Sequence, residues 1–229
     1  MTRNVAFLML AAMVSLIVMM APVSAQELAN LQNNSSAGET PVGDLALELV
    51  GQVINTPPAA SIQFGYLAYL RGVDQIFNPN AHNETTARFT FFTEATTTRT
   101  IANGPFRIIT REGTTTVYFD PSANGNFATP DSFRDGAPIL TATLRQQVIL
   151  DTTDQTFTVV NLNTVIASAS FTLDGHDFQI AKRGQKFRTS LVGRLNSPSP
   201  PTGYFAGFAV DVEPDPQPCN PFLRDCGRR

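Results

Sequence analysis

The sequence predicts an all-β domain: an antiparallel β-barrel of roughly ten strands, with a two-sheet β-sandwich as the alternative. Three observations point there. Between residues 44 and 212 Thr, Val, Ile and Phe are abundant, Trp is absent, and turn residues recur at short intervals. The stretch "PILTATLRQQVIL" (138–150) alternates, with Leu140, Ala142, Leu144, Val148 and Leu150 on one face and Thr141, Thr143, Arg145 and Gln147 on the other. A period of two with one polar face marks a strand covered on one side only. Finally, "FTLDGHDFQI" (171–180) sets Asp174-Gly175 between two β runs. Both residues tolerate positive φ, so a tight hairpin is expected.

The remaining strands follow in order. They are "LALELVGQVI" (45–54), "SIQFGYLAYL" (61–70), "ARFTFFTEATTTR" (87–99), and "FRIITR" (106–111) paired with "TTVYF" (115–119) around a turn at Glu112-Gly113. After 138–150 come "QTFTVVNLNTVIAS" (155–168), "KFRTSLVGRL" (186–195) and "GYFAGFAVDV" (203–212). The Ala- and Leu-rich segments 44–54 and 65–77 suit a helix equally well. A long run of antiparallel strands must hide its edges, by closure or by forming a sandwich. Gly65, Gly193 and Gly207 lie inside strand patterns, where a missing side chain permits the bends and close approaches of a barrel. That favours a barrel, calycin-like in architecture.

The chain has 229 residues. Residues 1–25 read as a signal peptide: Arg3, an apolar run from Val5 to Met20, then small residues at Val23 and Ala25 for cleavage. That run is short for a hydrocarbon core of ~30 Å. A cleaved signal and a secreted or periplasmic location are therefore expected, with no membrane span after cleavage. Residues 26–43 read as a flexible leader, 44–212 as a single β domain, and 213–229 as a Pro-rich tail. Cys219 and Cys226 are expected to form a disulfide in that tail.

Charge excludes one class of partner. With 16 basic and 19 acidic residues the net charge is −3, and no basic cluster offers a nucleic acid the positive surface it needs.

The one motif with metal-ligand spacing is "DPSANGNFATPD" (120–131). Asp120, Ser122 and Asn124 take positions 1, 3 and 5 of a calcium loop, Asn126 takes 7, Gly125 supplies the turn at 6, and Asp131 closes it at 12. Two carboxylates are few, the closing residue is Asp and not Glu, and the flanks are strand and turn instead of helices. The preferred reading is a polar strand-to-strand loop with its tight turn at Asn124-Gly125. No other cofactor is expected. His176, beside Asp174 and Asp177, reads as a hairpin tip; His82 sits in a polar loop; Glu94 reads as an outward strand residue. Asn33, Asn34 and Asn83 each begin an N-x-[ST] triplet. Nucleophile-elbow and zinc-protease motifs are absent.

Arg145 and Gln147 on one strand, with Asn161 and Asn163 on the next, are read as sharing a sheet face; turned inward, that face would orient a small ligand, but the more apolar opposite face of 140–150 favours its pointing outward into water. The functional expectation is a secreted, non-enzymatic β domain that binds a small ligand or a surface partner. The alternatives are a small barrel enzyme of cyclase or isomerase type and a calcium-stabilised surface module. An apolar cavity with a convergent Arg, Asn or Glu favours the enzyme, whereas a lumen filled by Phe and Leu counts against it.

Overall fold

Each long alternating segment becomes a strand, because its apolar half is long enough to cover one side of a closed sheet. The computed structural model describes residues 43–79, 81–198 and 201–212. The strands are β1 (Leu45–Thr56), β2 (Ala60–Leu70), β3 (Phe89–Asn103), β4 (Phe106–Phe119), β5 (Ala137–Asp151) and β6 (Thr156–Ser168). They continue with β7 (Phe171–Leu173), β8 (His176–Phe178), β9 (Lys186–Pro198) and β10 (Pro201–Val212). Eight of them close in the order β1-β10-β9-β6-β5-β4-β3-β2, and β7 and β8 form a separate hairpin. All pairings are antiparallel, and β1 with β10 completes the barrel. Closure removes every long edge. The expected signal, the leader up to residue 42, the tail, the Cys219–Cys226 pair, Asn33 and Asn34 lie outside the described residues.

Both Ala- and Leu-rich segments that suit a helix form β-structure: 45–56 is β1, and β2 runs on to Leu70. The turn expected at Glu112-Gly113 does not form. β4 passes straight through, with Glu112 opposite Arg145 and Gly113 opposite Leu144. The glycine is there for space, since a Cβ on Gly113 would meet the Glu94 carbonyl oxygen of β3. The chain turns instead around Gly104, at φ +55°. The hairpin at Asp174-Gly175 forms as expected, with φ of 50° and 82°.

The two ends of the barrel differ. The β1–β2, β3–β4 and β5–β6 turns share one end, where β9 and β10 also meet at Pro198 and Pro201. The long connections 71–88, 120–136 and 169–185 gather at the other. There the β7–β8 hairpin folds over the lumen, and Phe171 packs on Phe89 and Phe119 with ring centroids 5.4 and 5.0 Å apart. Phe89, Leu67 and Val165, each at most 1 % exposed, help to fill that half. Each fully buried Leu or Phe contributes about 1.5–3 kcal/mol.

A second apolar cluster lies outside the barrel. Phe64 and Phe92, one on β2 and the other on β3, point outward and are covered by Phe127 and Phe133 of the 120–136 connection. This connection is therefore an apolar strap across the sheet.

Candidate functional site

The site grows from one row of cross-strand neighbours. Thr97 on β3 pairs with Arg111 on β4, Arg111 with Gln146 on β5, Gln146 with Asn161 on β6, and Asn161 with Thr189 on β9. Side chains directly opposite each other in a ladder point the same way. Here they point into the lumen, so five adjacent strands deliver a continuous polar belt to the barrel interior.

Hydrogen bonds knit the belt together. Arg111 Nη1 donates to Gln146 Oε1 at 3.1 Å, Nη2 to Asn55 Oδ1 at 2.8 Å, and Nε to Thr97 Oγ1 at 3.3 Å. Gln63 of β2 reaches across the lumen, and its amide exchanges two 3.1 Å hydrogen bonds with that of Gln146. Gln146 Nε2 also donates to Asn161 Oδ1 at 3.1 Å. Asn55 is oriented in turn by donating from Nδ2 to the Pro201 carbonyl at 3.2 Å. Buried polar groups are tolerable only when satisfied in this way.

Arg111 is only 8 % exposed, and among the described residues it has no carboxylate partner. Burial pushes its guanidinium down to about 10, so it still carries its charge at neutral pH.

The belt divides the lumen. At the tight-turn end, opposite the β7–β8 hairpin, lies a cavity of about 360 Å³ with Arg111, Gln146, Gln63 and Asn55 at its floor. Val53, Val148, Leu150, Phe157, Val159 and Leu195 supply its apolar walls. On the plugged side a space of about 70 Å³ remains, bounded by Gln63, Asn161, Asn163, Thr189 and Asp211. Asp211 is buried there. It accepts from Gln185 Nε2 at 2.8 Å and from the Val212 backbone N–H at 3.0 Å, while burial raises its carboxyl above the ordinary value.

The four residues expected to share a face do not. Arg145 and Gln147 point outward and are exposed, whereas Asn161 and Asn163 are 7 % and 2 % exposed and point inward. The register explains this: Asn161 lies opposite Gln146 and Asn163 opposite Leu144, one residue away from the expected partners. Period-two alternation turns a one-residue offset into the opposite face. Asn163 donates to Thr189 Oγ1 at 3.1 Å on the plugged side.

No protein-family model matches this chain, and no curated protein or solved structure matches it. The chemistry of the site therefore rests on its own residues.

In the 120–131 loop the polar groups face partners within the protein. Asp120 accepts the backbone N–H groups of Ser122 at 2.9 Å and Asn124 at 3.4 Å, and Asn124 Nδ2 donates to Asp135 at 3.0 Å. Asn126 Oδ1 accepts from the Ala128 N–H at 2.9 Å. Asp131 pairs with Arg134 at 2.7 Å. The tight turn comes at Asp120–Ala123, where Ala123 takes φ 49°, and not at Asn124-Gly125. Gly125 instead lets the 71–88 connection approach, since a Cβ there would sit 2.6 Å from the Glu84 carbonyl oxygen. Arg134 binds the strap to β3: it pairs with Glu94 at 3.4 Å and lies 4.5 Å above the Phe92 ring. Among the described residues, no three His, Cys, Asp or Glu side chains cluster as a metal site. His176 is exposed at the hairpin tip. His82 stacks on Phe77 at 4.7 Å, and Asn83 caps its own loop by accepting from the Thr85 N–H at 3.0 Å.

Proposed function

We propose that the barrel is a small-molecule-binding domain of an exported protein, with its ligand held in the cavity at the tight-turn end. One observation carries this reading. A barrel of eight strands can fill its lumen with side chains or hold one small ligand; here one half is filled and the other is a cavity of about 360 Å³. Apolar walls with a few fixed polar groups are the usual composition of a ligand pocket, and the volume lies near the small end of the ~300–1,000 Å³ range.

A second reading, a small enzyme of isomerase or cyclase type, draws support from Arg111. A guanidinium in an apolar chamber stabilises negative charge developing on a bound oxygen. General acid–base catalysis, however, needs a group that titrates near neutral pH. The described cavity lining holds no carboxylate, imidazole or thiol. Binding is thus the better-supported function.

The chain contains no Trp, so a single Leu195→Trp substitution in the cavity wall gives a clean fluorescent reporter. Saturable changes in its emission with small amphipathic molecules are expected. A silent reporter across acidic, neutral and basic probes would remove the proposal, provided the variant keeps its wild-type circular dichroism. A substrate consumed catalytically would move the assignment to the enzyme.

A further inference from the structure

We infer that the ligand is a small amphipathic monoanion, a carboxylate on an apolar body, whose head group accepts hydrogen bonds from Arg111. This rests on the cavity being a ligand site, and it adds the chemistry of what enters. A guanidinium carries five N–H donors. Three are engaged by Gln146, Asn55 and Thr97, which leaves one on each terminal nitrogen. Two donors on neighbouring terminal nitrogens are what a planar carboxylate takes up as a bidentate pair.

Charge points the same way. The three partners of Arg111 are neutral, and a buried charge without a counter-charge is costly. Amide and hydroxyl dipoles relieve part of that cost, and a bound anion would relieve more. Arg111 is the only charged side chain in the described cavity lining. A monoanion therefore balances the site, whereas a phosphate dianion would bring a second negative charge that nothing there neutralises. Val148, Leu150, Phe157 and Val159 then cover the body of the ligand.

The test compares three probes with one chain length: octanoate, 1-octanol and octylamine. Titration calorimetry on the unmodified protein at pH 7 is read beside the Leu195→Trp reporter. Octanoate should bind roughly 10- to 100-fold more tightly than 1-octanol, the size expected of hydrogen bonds to a charged group. Octylamine should bind weakest. Arg111→Gln should abolish the preference while leaving 1-octanol binding in place. If that variant fails to fold, the comparison on the unmodified protein still decides. Equal affinities for octanoate and 1-octanol would overturn the inference and leave the cavity reading standing. Silence toward all three probes would overturn both.

Discussion

Arg111 and Gln146 face one another across β4 and β5, and the charged guanidinium is held there by the oxygen of a neutral amide at 3.1 Å. The same oxygen accepts from Gln63, and the same amide nitrogen donates to Gln63 and Asn161. Gln146 is therefore the hub through which the buried charge, the cross-lumen contact and the β6 asparagine are coupled.

Removing that hub should cost far more than its size suggests. Gln146→Leu strips an acceptor from a buried cation and partners from two buried amides, a loss of about 3 kcal/mol in urea unfolding. Adding Arg111→Met deletes the stranded charge, so the double variant should be more stable than Gln146→Leu alone. Simple addition of the two single costs would show that the pair is not coupled.

The 120–136 strap should behave as an apolar lid on β2 and β3. Phe133 is fully buried against Phe64 and Phe127, so Phe133→Ala should cost about 3–5 kcal/mol. Asp131 is exposed in its pair with Arg134, so Asp131→Asn should change stability by less than ~1 kcal/mol. Melting points with millimolar calcium and with chelator should coincide. A calcium-dependent rise that Asp131→Asn abolishes would assign the ion to this loop.

Asp211 should leave a signature in the pH dependence of stability. Its folded pKa is raised above the ordinary 3.8 by burial. The folded state then holds this proton more tightly than the unfolded chain. Its contribution is fully present below about 3.8 and is lost as pH rises through the raised folded value. Asp211→Asn should flatten the stability profile across that acid window. A profile identical to wild type there would show that the carboxyl is effectively solvated.

Filling the cavity should separate folding from binding. Val159 lies in the apolar wall, and Val159→Phe adds a ring that the cavity has room to receive. The variant should melt within a few degrees of wild type while octanoate no longer raises its melting point. An undiminished octanoate shift would place the ligand elsewhere on the protein.

The barrel was legible in the sequence because alternation, tight turns and well-placed glycines all follow from backbone geometry. Half of the site was legible by the same rule: Gln146 occupies the one polar position in the series Leu140, Ala142, Leu144, Val148, Leu150. Arg111 was hidden by the expected turn at Glu112-Gly113, which cut β4 in two. Once the strand is continuous, Arg111 shares a face with Ile109 and Val117. Asn161 and Asn163 were placed with the wrong neighbours, because the residues between β5 and β6 set the register and either parity is compatible with the sequence. The apolar character of the 120–136 strap was masked by its polar letters. Phe127 and Phe133 acquire meaning only when Phe64 and Phe92 are known to face outward.

The paired amides of Gln63 and Gln146 set the depth of the cavity from one side. Together with the Arg111–Asn55 hydrogen bond and the Leu191 and Phe205 side chains that border both spaces, they lie between a chamber of about 360 Å³ and one of about 70 Å³. Shortening Gln63 should deepen the larger chamber toward the smaller one and favour a longer guest.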